Sequence, residues 1–184
     1  MAREIASHSA NARVLLRYIE ILNAADADRL GEVLDSDYVQ VIPQSREVLR
    51  GVDNFAEVMR NWPRGTEQDR PTPLGAKIVR PEDHDIIVTS SFSPFPTYNV
   101  IRIEGEGDTL TSYTILRYPD SGEWFSVSIH TFRDGKIVKE MMFFGQAFER
   151  PSWRSAWSEI MTPEEERELV GLDPIERPGI AEQT

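Results

Sequence analysis

The chain has 184 residues, no cysteine, and 31 acidic against 20 basic side chains, giving a net charge of −11. That length holds one domain, or one domain with a tail. The acidic balance and the lack of any Lys or Arg run exclude nucleic acid and an anionic membrane surface as partners. Without cysteine, disulfides, thiolate metal sites and a cysteine nucleophile are excluded as well. Glu4 stands where a leader would carry only basic residues, and Val14-Leu15-Leu16 is too short to span a membrane, so a cytoplasmic location is expected.

The spacing of Leu15, Ile19 and Leu22, with Tyr18 beside that face, predicts a helix over residues 8–24. Asp26 is placed to cap a second short helix ending near Leu34. Residues 38–42 read as a strand stopped by Pro43. A third helix is expected from Asp53, with Phe55, Met59 and Trp62 on one face and Pro63 ending it. Residues 63–74 are polar and carry proline, which predicts a loop.

From Gly75 the pattern alternates. Strands are expected at 76–79, 86–92, 98–104, 109–118, 123–132 and 136–144, separated by turn-forming stretches such as Pro119-Asp120-Ser121-Gly122 and Arg133-Asp134-Gly135-Lys136. Helices followed by a meander of antiparallel strands define an α+β domain with its helices gathered on one face of the sheet. Trp153, Trp157 and Ile160 then suggest a short amphipathic helix. Thr162-Pro163-Glu164-Glu165 reads as a capping box, so its acidic cluster marks a helix start rather than a metal site, and Gly171 would end that helix. The expected division is a domain over residues 1–150, with short helices and a tail over 151–184.

Four segments carry a resemblance to a known superfamily. They run from Leu16-Arg17-Tyr18-Ile19 to Asn23-Ala24-Ala25-Asp26, from Asp37-Tyr38 to Pro43, through Arg50-Gly51, and along Phe132-Arg133-Asp134-Gly135-Lys136-Ile137. In order and spacing these resemble the nuclear transport factor 2-like superfamily, with its ketosteroid isomerases and SnoaL-type polyketide cyclases. The resemblance covers residues 8–148 and implies a cone: N-terminal helices packed on the concave face of a curved, mainly antiparallel sheet. Against the ketosteroid isomerases it places Tyr18 at an oxyanion-hole tyrosine, Ile42 at the general-base aspartate and Ser128 at a second oxyanion-hole acid. An isoleucine cannot take up a proton, so the ordinary isomerase mechanism is not expected.

Strand alternation puts Trp124, Ser126, Ser128, His130 and Phe132 on one face, which the resemblance makes the concave one. The Arg133-Asp134-Gly135 turn admits two hairpins. A two-residue turn would place Glu140 opposite Ile129 on the convex face, whereas a three-residue loop would place it opposite Ser128 in the pocket. The second is preferred, because it sets the acid beside hydroxyls rather than among Phe125, Val127 and Ile129. His130 and Glu140 are then neighbours able to act as an acid–base pair, with Tyr18 steadying an oxyanion. The alternative is that Glu140 is a solvent-facing strand residue or a structural partner of His130.

Tyr38, Ile42, Met59, Trp62, Ser126, Ser128, Phe132, Met142 and Phe144 are the candidate ligand-lining residues, though a solid core would use the same apolar ones. His8 and His84 fall in solvated stretches, no histidine pair has ligand spacing and no nucleotide fingerprint appears, so neither metal nor cofactor is expected. The opposite face carries Phe125, Val127, Ile129, Met141 and Phe143, and a second copy of the chain is its natural cover. The leading expectation is a cofactor-free isomerase, cyclase or dehydratase acting on a hydrophobic carbonyl compound. A ligand-binding or sensor domain and a dimeric interaction module are the alternatives.

Overall fold

The structure, a computed structural model, describes residues 9–61, 97–118 and 122–170. Trp62, His8, His84, Gly171, the 63–74 loop and the strands expected at 76–79 and 86–92 lie outside the described residues.

Helix α1 (Ala10–Asn23) starts at Ser9, whose hydroxyl accepts the Ala12 amide at 3.1 Å. Its buried face is Ala12, Leu15, Tyr18, Ile19, Ile21 and Leu22, the stripe that the spacing predicts. At its end Asn23 clamps a strand: its amide nitrogen donates to the Tyr98 carbonyl at 3.0 Å and its oxygen accepts the Tyr98 amide at 2.7 Å.

The second helix is a tight 3₁₀ turn, Ala27–Glu32, and Asp26 makes no capping bond there. Strand β1 (Leu34–Ile42) begins four residues before the expected Tyr38. A strand missed by the pattern, β2 (Glu47–Arg50), folds back on β1. It is short and mostly exposed, with Val48 at 49%, so it carries no alternation to detect. Gly51 then turns the chain at φ 84°, a conformation glycine adopts without strain, and its amide donates to the Tyr38 carbonyl at 2.7 Å. Helix α2 (Val52–Arg60) follows and buries Phe55, Ala56 and Met59.

Strands β3 (Thr97–Glu106), β4 (Thr109–Tyr118), β5 (Gly122–Arg133) and β6 (Lys136–Gln146) form an antiparallel meander. Among the described residues six strands form a curved sheet in the order β2-β1-β6-β5-β4-β3, with β1 and β6 parallel. That one parallel pairing brings the N-terminal strand against the C-terminal one. The core joins the α1 stripe and Phe55, Ala56 and Met59 of α2 to Tyr38, Leu110, Phe132 and Ile137 of the sheet. The molecule is an α+β domain with its helices on one side of the sheet.

The β5–β6 hairpin differs from the preferred reading. Asp134 and Gly135, at φ 51° and 75°, form a two-residue turn that pairs Arg133 with Lys136. A bulge then intervenes: Phe132 pairs with Ile137 and Thr131 with Lys139, leaving Val138 unmatched. The bulge moves the register by one residue, so Glu140 faces His130 rather than Ile129 or Ser128.

After the sheet, the expected amphipathic helix is only a 3₁₀ turn, Ser152–Arg154. Trp153 and Trp157 remain 72% and 84% exposed, so no helical face is buried there. The capping box forms as expected: the Glu165 amide donates to the Thr162 hydroxyl at 3.3 Å, and the Thr162 amide to the Glu165 carboxylate at 2.8 Å. No helix among the described residues is long and apolar enough to cross a membrane.

Candidate active site

Alternation along the strands presents Tyr38 and Gln40 of β1, Ser112 and Thr114 of β4, Ser126, Ser128 and His130 of β5, and Glu140 of β6 as buried side chains. Tyr18 of α1 comes down onto this row, its ring 6.4 Å from that of His130 at 75° and 6.4 Å from that of Phe55. Glu140 is 2% exposed and His130 1%, and they stand directly opposite each other across β5 and β6.

The contacts of the acid are one-sided. Its Oε2 accepts the Tyr38 hydroxyl at 2.8 Å, the Tyr18 hydroxyl at 3.0 Å and the Gln40 side-chain amide at 3.1 Å. Two of these donors lie on β1 because Gln40 pairs with Glu140 in the parallel β1–β6 ladder, and Tyr38 precedes it by one full strand repeat. All three of these contacts fall on the same carboxylate oxygen.

Burial raises both tyrosine pKa values well above the ordinary phenol range, and the Glu140 charge pushes them further the same way. Both phenols stay protonated and remain donors. Burial lowers the His130 pKa, with the nearby Glu140 charge opposing it, so the imidazole is neutral at neutral pH. One ring nitrogen, Nε2, is 2.9 Å from the Ser112 hydroxyl. The other, Nδ1, is buried and has no hydrogen-bond partner among the described residues.

The structure therefore brings Tyr18, His130 and Glu140 together, but not in the expected roles. The Tyr18 hydroxyl, assigned from sequence to a ligand oxygen, donates to Glu140. Tyr38, expected to line a cavity, does the same. Ser126, Ser128, Met59 and Phe132 are buried, while Ile42, Met142 and Phe144 are half-buried. Met142 pairs with Ser128 and Phe144 with Ser126, and the Phe144 ring lies 5.7 Å from that of Trp124. Gln40 and Ser112 were missed. Gln40 shares a face with Tyr38 by simple alternation, but only the β1–β6 pairing shows what that face meets.

A separate depression of about 550 Å³ lies at the start of α2, lined by residues that include Arg50, Gly51, Asp53 and Lys136. It shares no lining residue with the Glu140 cluster. Among the described residues, no three His, Asp or Glu side chains are grouped so as to hold a metal ion.

The sequence pattern of the SnoaL-like domain family matches residues 15–140 of the chain. Among solved structures, an NTF-2 like protein of unknown function from Burkholderia xenovorans LB400 is similar at 25% identity and a TM-score of 0.56, over 83% of this chain and 96% of that one. A candidate ketosteroid isomerase from Kribbella flavida DSM 17836 matches at 16% identity and a TM-score of 0.60, over 84% and 92%. A candidate SnoaL-like polyketide cyclase from Jannaschia sp. CCS1 matches at 15% and 0.51, over 75% and 90%. The last two likenesses concern the fold. No curated protein matches the chain.

Proposed function

Since the chain belongs to the SnoaL-like domain family, we propose that it is a small-molecule enzyme of cofactor-free acid–base type. It acts as an isomerase, cyclase or dehydratase on a hydrophobic carbonyl compound. One observation carries this reading: Glu140, 2% exposed, is held by three uncharged donors on a single oxygen. Burying a carboxylate without a cation costs several kcal/mol, roughly, before hydrogen bonds offset it. A fold that needs only a filled core would place an apolar residue there. Buried ionisable groups of this kind mark functional sites more often than chance.

In this reading Glu140 Oε1 removes a proton from the carbon beside a carbonyl and returns it elsewhere on the same molecule. Tyr18, Tyr38 and Gln40 are positioning residues that hold Oε2 and leave one oxygen to react. Ile42, Met142 and Phe144 supply the apolar wall on which the carbon skeleton rests. The face bearing Phe125, Val127, Ile129, Met141 and Phe143 joins a second copy of the chain.

The test is hydrogen–deuterium exchange at the α-carbon of a panel of enolisable ketones and β-diketones in D₂O, followed by proton NMR. Catalysed exchange that disappears in Glu140→Gln supports the proposal. Binding without exchange, or exchange unaffected by Glu140→Gln, favours a ligand-binding domain instead. That second reading draws on Ile42, which puts a side chain incapable of proton transfer where the resemblance expects a base.

A further inference from the structure

Nδ1 of His130 is a buried polar atom that the acid–base reading leaves unused. The ring is 1% exposed, and Nδ1 has no hydrogen-bond partner among the described residues. Its other nitrogen is held at 2.9 Å by Ser112, on the adjacent strand β4. Ser112 itself is 2% exposed and pairs across the ladder with Ser128. The imidazole is thus bonded at one end and, among the described residues, unbonded at the other, on the face that also carries Glu140.

A neutral imidazole offers one N–H and one lone pair. If Nε2 carries the proton, it donates to the Ser112 oxygen and leaves a lone pair at Nδ1. If Nδ1 carries it, the Ser112 hydroxyl donates to Nε2 and a buried N–H is left unmade. Orphaned buried donors are rarer than under-satisfied acceptors, which favours the first arrangement. A serine hydroxyl can play either part, so the nitrogen that Ser112 does not bond decides.

We propose that Ser112 holds His130 as the Nε2–H tautomer, and that Nδ1 receives a hydroxyl group of the ligand. The inference rests on the acid–base reading for the presence of a ligand at this face, and it adds a substrate class. The molecule carries an alcohol, phenol or enol hydroxyl close to the carbon that Glu140 addresses, and a compound with that hydroxyl capped is rejected. Ser112 touches no ligand atom and is a positioning residue that sets which atom His130 offers.

The tautomer is read directly by nitrogen NMR of the ¹⁵N-histidine-labelled full chain at neutral pH. Nδ1 should resonate as an unprotonated imine nitrogen and Nε2 as a protonated one. The ligand class is read with a fragment set of naphthols, catechols and cyclohexanols, each paired with its methyl ether. Hydroxyl members should shift the Nδ1 signal and bind about tenfold or more tightly than their ethers, the worth of one buried hydrogen bond. Ser112→Ala should mix the tautomers and shrink that ratio towards one, while Ser112→Thr, which keeps the hydroxyl, should preserve both. A protonated Nδ1 in the free protein overturns the proposal. So do ethers that bind as well as their parents, a set in which no hydroxyl member moves the signal, or a bound water on Nδ1 that no fragment displaces. Phenol binding at Nδ1 without α-carbon exchange would sink the acid–base reading and leave this one standing. Exchange lost in Glu140→Gln but indifferent to the hydroxyl would do the reverse.

Discussion

Glu140 and His130 face each other across the β5–β6 ladder, yet the carboxylate is bonded to Tyr18, Tyr38 and Gln40 and the imidazole to Ser112. Each member of the pair is gripped from its far side by a different strand. The acid is held by β1 and α1, and the base by β4. Neither group is spent on the other.

Removing one phenol should therefore strand part of a buried charge. Tyr38→Phe deletes the shortest of the three bonds and should lower stability by about 1.5–3 kcal/mol, the usual worth of a hydrogen bond to an ionised group. Tyr18→Phe should cost a similar amount. Urea denaturation measures both. The double variant should lose more than the sum, because the two hydroxyls share one oxygen. Losses below about 0.5 kcal/mol for both single variants would show that the tyrosines do not support the acid.

Acid should weaken the fold through His130. Burial depresses its native pKa below the ordinary 6.5 that the unfolded chain recovers. Between those two values the unfolded state binds the extra proton, so stability falls as pH drops through 6.5 and stops falling at the native pKa. Above 6.5 the ring is neutral in both states and contributes no slope. Urea midpoints of the wild type and His130→Gln, compared from pH 7.5 to 5, should show the variant losing less across this window. Parallel curves would contradict the assignment.

The apolar outer face predicts a homodimer. Ile129 and Phe143 are 38% and 40% exposed in the single chain, with Phe125, Val127 and Met141 half-covered around them. Light scattering at micromolar concentration should give twice the 21.0 kDa chain mass. Ile129→Glu, which forces a charge into that patch, should shift the equilibrium to monomer. A monomeric wild type would remove the case.

Ile42 lies on the same strand face as Tyr38 and Gln40, half-buried, at the position where the resemblance expects a proton-carrying aspartate. The protein should not convert a Δ5-3-ketosteroid to its conjugated enone above background, followed by ultraviolet absorbance. A clear rate, abolished by Glu140→Gln, would mean that Glu140 has taken over that task from the opposite strand.

The first helix and the meander were legible because their signals are local. Leu15, Ile19 and Leu22 recur at helical spacing, and the turn residues after Tyr118 and Arg133 punctuate the strands. What was illegible depends on partners distant in sequence. Gln40 is separated by 100 residues from the carboxylate it contacts, and only the parallel β1–β6 pairing joins them. Local reading likewise promised a helix around Trp153 and Trp157, whereas both rings stay exposed and among the described residues bury no face that would stabilise one. The hairpin register failed for a third reason. Both halves of the β5–β6 reasoning treated the strands as regular, and the unmatched Val138 carries no mark in composition that distinguishes it from an ordinary strand residue.

That unmatched residue makes the position of the acid a matter of counting. Between the turn and Glu140 the chain keeps a reading frame set by the extra residue, and alternation passes any error on to everything downstream. Exchanging Val138 for another β-branched side chain leaves the count intact. One more residue inserted between Val138 and Glu140 would rotate the carboxylate out of reach of Tyr18, Tyr38 and Gln40 while preserving every side chain in the sequence. For this stretch of the gene, a three-base insertion is a harsher change than an exchange of Val138 for another β-branched residue.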